Sequence, residues 1–409
     1  MSTEWNFEEF SRSILKMYRE ELRERGGSFN LALFGDAGAG KSTLVNTVFG
    51  TERAGTGIGN RQTVRLQFHR EPDDGPIGIW DTPGFEIGAG TVPTLIAAVE
   101  GTLEKAKQGD GTESIHAVWF VTRSATMRFL DAHAELIRSL HGLGLPVFSV
   151  LTCVDRIDDR VDPKALALAE SITARQLPLA GGKVFLVNSV ETVPLAGPTY
   201  PVHGVRELLD ATVQEIPESV RMAAMVAQRL DFTVQRARSK NIIRLAIAGA
   251  LPAHSAPPVL DMASLLAVHG GMMSGISVAY GVPVDVKALT HLLWKILVGG
   301  VAVKEGAGWL ARELTKRATE EAGKKAAVKG LIKFVPGLNF VVGAVSTVVG
   351  APAMYTIGRA WMDVCEYLRR HPEEIQGGGE TRYLDLFLKC YQETLRDSGP
   401  SWLSTLLRR

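Results

Sequence analysis

Nine consecutive residues, Gly35, Asp36, Ala37, Gly38, Ala39, Gly40, Lys41, Ser42 and Thr43, fit the pattern G-x-x-x-x-G-K-[ST] at every fixed position. Glycines at these intervals let a backbone take positive φ, so that successive N–H groups turn inward toward an anion. A lysine directly after the last glycine reaches the β- and γ-phosphates of a nucleotide, and the Ser42 hydroxyl is a hard oxygen ligand suited to Mg²⁺. Further along, Asp81-Thr82-Pro83-Gly84 supplies a carboxylate and a glycine N–H at the end of an apolar run. Alone, such a tetrapeptide reads as a tight turn. After a phosphate loop, Asp81 becomes a candidate to hold Mg²⁺ through water, and Gly84 a candidate to meet a γ-phosphate.

These groups need positioning, and the sequence supplies the elements. Phe29–Phe34 is a short apolar run that reads as a buried strand, and Lys41–Phe49 has the spacing of a helix start. A helix N-terminus adds the positive end of its dipole to the phosphate site. Residues 63–69 alternate as a half-buried strand, residues 71–76 form a turn, and residues 77–80 form another strand. Helices are expected over 91–107 and 126–140, and strands over 115–121, 145–151 and 183–187. A closing helix over 205–216 ends at Pro217. Strands alternating with helices, with one early hairpin, predict an α/β, doubly wound, mostly parallel six-stranded sheet with its site at the strand C-termini. The glycine-rich segment 51–62 is long for a connection and reads as a functional loop.

The strand over 145–151 runs into Thr152-Cys153-Val154-Asp155, which resembles the base-reading [NT]-K-x-D of GTPases. An aspartate there accepts hydrogen bonds from N1–H and the exocyclic amine of guanine, which adenine lacks. Cys153 stands where that pattern has lysine, whose stem covers the base and ribose. The departure bears on affinity more than on base identity. Ser189 lies where GTPases place a serine-containing turn against the guanine oxygen.

In order and spacing, GDAGAGKST, Thr63, DTPG and TCVD resemble the P-loop GTPases of the Era-like and immunity-related, dynamin-like neighbourhood, over residues 29–216. Residues 56–63 (TGIGNRQT) look like the switch segment T-G-x-G-x-P-V-T of a bacterial subgroup, with Arg61 replacing its proline. By that resemblance Thr63 closes over Mg²⁺ and the γ-phosphate. Many relatives carry a water-orienting glutamine directly after D-x-x-G, where this chain has Phe85. Arg61, two residues before Thr63, is the nearest group in the chain to stabilise charge in its place, unless it is simply a solvated arginine.

The chain has 409 residues and a formal net charge of +1, so no global charge draws it to nucleic acid. Its three cysteines, Cys153, Cys365 and Cys390, are widely spaced, which favours reduced thiols over a disulfide framework. The acidic first residues lack an apolar signal core, so the expected location is cytoplasmic. Residues 5–25 form an amphipathic helix stopped by Gly26-Gly27. Mixed charge on its polar face suits packing on its own domain better than an anionic lipid surface.

Composition changes after Glu218. A basic helix is expected over 221–244, followed by apolar stretches over 262–284 and 334–358 that contain no Asp, Glu, Lys or Arg. Lys316, Lys324, Lys325 and Lys329 mark a basic segment between them, and residues 384–407 read as a tail helix. YGVPV and KFVPG give this half a resemblance to the hydrophobic helical domain of unknown function that follows the G domain in some bacterial GTPases. The organisation expected is an N-terminal helix over 1–27, a G domain over 28–218 and an all-α hydrophobic domain over 219–409. The stretch 334–358 is long enough to cross a bilayer, yet Pro336 and Pro352 interrupt it. Membrane insertion and burial in a compact bundle both fit.

The function expected is Mg²⁺-dependent hydrolysis of GTP to GDP as a conformational switch. The helical half would read out the state at the inner face of a membrane or on another copy of the chain. A nucleotide-gated scaffold with negligible turnover is the alternative, and an ATPase a third.

Overall fold

The computed structural model describes residues 7–24, 27–50, 66–70, 75–81, 90–109, 113–158, 160–193, 198–250, 262–283, 286–293, 347–371 and 380–397. Two compact units result, Glu24–Asp231 and Met1–Arg23 together with Phe232–Arg409.

In the first unit β1 (Phe29–Phe34) is buried at every position and lies inside the sheet. β3 (Ile77–Asp81) and β4 (Ala117–Arg123) flank it in parallel. β2 (Gln67–Arg70) pairs antiparallel with β3 at one edge. β5 (Val147–Thr152) and β8 (Val184–Leu186) extend the other side, giving the order β2-β3-β1-β4-β5-β8. The six-stranded, mostly parallel sheet expected from the pattern is present. After β1 the chain builds one side of the sheet, then crosses to the other at β4. The C-terminal end of β1 therefore opens at a topological switch point, where open α/β sheets bind ligands.

Helices cover both faces, as near-continuous apolar strands require. On one face α2 (Lys41–Phe49), α6 (Val205–Glu215) and α7 (Glu218–Ala227) pack on Leu31, Leu33, Trp119 and Phe148. On the other, α3 (Val92–Gln108), α4 (Asp131–Gly142) and α5 (Pro163–Thr173) pack on Ala32, Phe34, Phe120 and Leu151. A short hairpin, β6 (Arg156–Ile157) and β7 (Arg160–Val161), follows β5.

Local structure departs from the pattern in two places. The helix expected from residue 126 begins at Asp131, because Met127 takes φ 51° after a 3₁₀ turn at Ser124–Thr126. The single basic helix expected over 221–244 is two, α7 and α8 (Thr233–Ala250). The Gln228 side chain breaks it, its Oε1 accepting from the N–H groups of Leu230 at 2.7 Å and Asp231 at 2.9 Å. Val220, Ala223, Ala224 and Ala227 consequently join the core of the sheet unit.

The second unit is helical, with α1 (Phe7–Glu24), α8, α9 (Met262–Tyr280), α10 (Val286–Leu293), α11 (Thr347–Arg370) and α12 (Glu380–Asp397). The apolar α9 is core. Met272, Met273, Ile276 and Tyr280 are buried, and Trp361 Nε1 donates to the Met273 carbonyl at 3.0 Å. A Cβ on Gly270 would lie 1.9 Å from Cδ1 of Ile14, so the glycine marks close packing of α1 on α9. Among the described residues, no helix is long and apolar enough to cross a membrane. Most of the stretch 334–358 and the basic segment 316–333 lie outside the described residues.

Candidate functional site

The phosphate loop leaves β1 at Gly35 and enters α2 at Lys41. Gly35 and Gly40, the two positions that the pattern reserves for glycine, have φ of 136° and 90°, and Gly38 between them has φ of 72°. Gly35 also needs the space. A Cβ there would sit 2.0 Å from the carbonyl oxygen of Val121 on β4. A turn bond from Ala39 N–H to the Asp36 carbonyl, 3.2 Å, closes the loop. Ala37 and Gly38 are exposed at its tip, Ala39 is buried, and Ser42 and Thr43 open the first turn of α2.

Lys41 is buried, 7% exposed, and its Nζ donates to the carbonyls of Gly35 at 2.6 Å and Asp36 at 3.0 Å. Burial pushes its ammonium pKa down, while the charges of Asp81 and Asp36 oppose that shift. Asp81 ends β3, paired in register with Leu33 of β1, so one strand pair carries both the loop and the carboxylate. The donor set of a Ser42 hydroxyl and the Asp81 carboxylate is hard oxygen, and Asp81 is near enough to act on the charge of Lys41. Those residues fit Mg²⁺.

Thr152 ends β5 and ties the far side of the loop. Its hydroxyl donates to the Ala39 carbonyl, and a Cβ on Gly40 would lie 3.2 Å from Thr152 Oγ1. Cys153 follows with φ 54°, a left-handed conformation costly for a non-glycine residue. The Cys153 thiol and Asp155 are exposed, while Val154 between them is buried. Ser189, after β8, is buried, and its carbonyl lies 2.9 Å from Oγ1 of Thr47 on α2. The structure thus gathers Gly35–Thr43, Asp81 and Thr152 at neighbouring strand ends. Arg61, Thr63, Gly84 and Phe85 lie outside the described residues.

Three residues at this edge carry no motif. His133 on α4 is 1% exposed between Phe120 and Phe129, each ring centroid 5.3 Å away. Its Nδ1 accepts from Leu130 N–H at 3.3 Å, and its Nε2 lies 3.5 Å from the Asp36 carboxylate. Ser124 and His203 contact the segment after Thr152. A histidine on the apolar side of a helix was the available signal for His133; Ser124 and His203 offered none.

Residues 30–152 match a family model described as 50S ribosome-binding GTPase. The mouse T-cell-specific guanine nucleotide triphosphate-binding proteins 1 and 2 are each 28% identical over 130 residues, 31% of this chain and 28% of theirs. The match therefore spans less than a third of those relatives. Among solved structures, a variant of Aquifex aeolicus Era bound to GDP and aluminium fluoride is 18% identical with a TM-score of 0.31, covering 47% of this chain and 58% of that one. A probable GTP-binding protein engB is 14% identical with a TM-score of 0.31, covering 47% and 98%. With the phosphate loop at the switch point of its sheet and Thr152 closing the matched stretch, the sheet unit has the G-domain fold of a P-loop GTPase.

Proposed function

We propose that the sheet unit binds GTP with Mg²⁺ and hydrolyses it to GDP and inorganic phosphate, and that the bound state switches the chain's contacts. The observation that carries the reading is Lys41. It is a buried ammonium at a helix N-terminus, held by the first two carbonyls of a glycine loop, with Asp81 close enough to act on its charge.

Hydrolysis joins a water oxygen to the γ-phosphorus and breaks its bond to the β–γ bridging oxygen. Such transfer needs positioning and charge neutralisation more than a covalent nucleophile. Lys41 exchanges its two carbonyl partners for β- and γ-phosphate oxygens. The loop N–H groups and the α2 dipole face the same anion. Ser42 and Asp81, with Thr63, are the residues that would hold Mg²⁺, which supplies positive charge against the phosphate oxygens. Gly84 meets the γ-phosphate and Asp155 reads guanine, with Thr152, Cys153 and Ser189 around the base. Arg61 is the group proposed to offset transition-state charge, since Phe85 cannot orient water. The mouse relatives' names, which include guanine nucleotide triphosphate binding, support the choice of base. For the output we propose the helical unit, acting at a lipid surface or on a second copy of the chain.

The test is calorimetry with GDP and phosphate release from GTP, on the purified chain and on Lys41→Ala. Lys41→Ala is expected to abolish tight binding without unfolding the protein, and unchanged affinity overturns the reading. Binding without turnover, alone and with liposomes, would instead identify a nucleotide-gated scaffold.

A further inference from the structure

The segment that follows β5 is held at three consecutive carbonyls by three different parts of the sheet unit. The Cys153 carbonyl accepts from Ser124 Oγ at 2.8 Å, Ser124 lying in the turn after β4. The Val154 carbonyl is 2.8 Å from His203 Nε2, in the loop between β8 and α6. A carbonyl only accepts, so that ring nitrogen carries the proton. The Asp155 carbonyl accepts from Asp162 N–H at 2.9 Å, and Asp162 is the N-cap of α5. Val154 N–H is fixed as well, donating to the Val187 carbonyl at 3.2 Å.

The groups that do the holding are themselves fixed. Ser124 is 3% exposed. His203 exchanges backbone hydrogen bonds with Asn188, at 3.0 and 3.1 Å. The backbone they hold is strained, with Cys153 at φ 54°. Such conformations persist where the surroundings over-determine them. Yet the side chains on either side of Val154 point outward: Cys153 and Asp155 are both exposed. A strained, fully gripped backbone presenting one exposed carboxylate costs stability with no packing gain at that carboxylate. It is the arrangement expected where a carboxylate must be aimed before its ligand arrives.

We propose that Ser124 and His203 are positioning residues for base selection, holding Asp155 in the orientation that reads guanine. The inference rests on the proposed reading of guanine by Asp155. With no lysine stem over the base, selectivity depends on how well the carboxylate is placed. Each hydrogen bond is a term of about 0.5–1.5 kcal/mol, or about 2- to 10-fold in affinity. Adenine does not use the carboxylate, so the loss falls on guanine nucleotides alone.

The experiment measures GDP and ADP affinity by calorimetry on the full chain and its variants. Ser124→Ala and His203→Ala are each expected to weaken GDP by about 3- to 10-fold and to leave ADP within about 2-fold. His203→Gln, which keeps a side-chain N–H donor, is expected to recover most of the loss. In an Asp155→Asn background, Ser124→Ala is expected to have no further effect on GDP, since the pair acts through one carboxylate. A wild type that prefers GDP, with variants that keep the preference or lose both nucleotides equally, overturns the positioning role. A wild type that binds GDP and ADP equally overturns the guanine reading itself.

Discussion

Gly35→Ala tests whether the phosphate loop is shaped by contact with the sheet or by backbone conformation alone. The added Cβ would meet the Val121 carbonyl oxygen at 2.0 Å, so one of the two must move by at least about 1 Å. Neither is free to do so. Phe34 pairs with Phe120 in the adjoining strands, and Val121 pairs with Val150 on its other side. Forcing an extra methyl into such packing costs about 1–3 kcal/mol. A non-glycine residue at positive φ adds about 1–3 kcal/mol. The sum is about 2–6 kcal/mol, a large share of the ~5–15 kcal/mol that stabilises a typical domain. Gly38→Ala is the control. Gly38 also has positive φ, 72°, but nothing lies within 4 Å of its missing Cβ. That variant should lose only the conformational part, about 1–2 kcal/mol. Urea denaturation of both variants, followed by tryptophan emission, reads the difference. Equal losses would refute the close approach of the loop to β4.

Two further outcomes follow from titrating groups and thiols. Burial pushes the His116 imidazole down to about 4, against an ordinary value of 6.5. The unfolded chain therefore binds more protons between those values, and stability is full above pH 6.5 and falls by about 3 kcal/mol as pH drops toward 4. Urea midpoints measured from pH 7 to 4.5 should show that slope, and His116→Asn should flatten it. Cys153 is exposed while Cys365 and Cys390 are buried, with burial raising both buried thiols, Cys390 to about 12. Maleimide should label Cys153 at least ~10-fold faster than the other two, as thiolate access requires, and saturating GDP should slow it. Equal labelling of all three would contradict the helical core.

The sheet was legible because each buried strand carries its own signal. FNLALF, IHAVWFV and LPVFSVL are apolar runs bounded by turns, and a sheet covered on both faces demands such runs. The phosphate loop was legible because its glycines answer to positive φ and its lysine to charge. The hairpin Arg156–Val161 was not, since two-residue strands have no periodicity to read. The break between α7 and α8 was hidden for a different reason. Gln228 is an ordinary helix former, and the helix ends where its side chain bonds Leu230 and Asp231 and the Arg229 N–H donates to the Val48 carbonyl at 2.8 Å, a partner far away in sequence. The helical half showed its limits most plainly. Gly270 in an apolar run fits both a membrane helix and a tight contact, and its approach to Ile14 comes from residues far apart in sequence.

The state of Lys41 bears on what the loop will accept. Its ammonium is closed onto Gly35 and Asp36 by two charge-assisted hydrogen bonds. Bonds of that kind are worth about 1.5–3 kcal/mol each, so a ligand that recruits Lys41 must replace about 3–6 kcal/mol of existing interaction. A neutral ligand cannot do so, and an anion with one oxygen in reach replaces half. A polyphosphate offers oxygens on two phosphorus atoms and replaces both partners at once. The Asp36 carboxylate, 3.5 Å from His133 Nε2, sharpens the choice. Its charge, after that of Asp81, opposes the lowering of the Lys41 pKa by burial, yet it also repels an approaching anion. On the proposed reading, weak anions are repelled without compensation, whereas a nucleotide held by the loop N–H groups and Mg²⁺ would offset the repulsion. On that reading the self-closed lysine acts as a threshold, and the ligands expected to cross it are those with at least two adjoining phosphates.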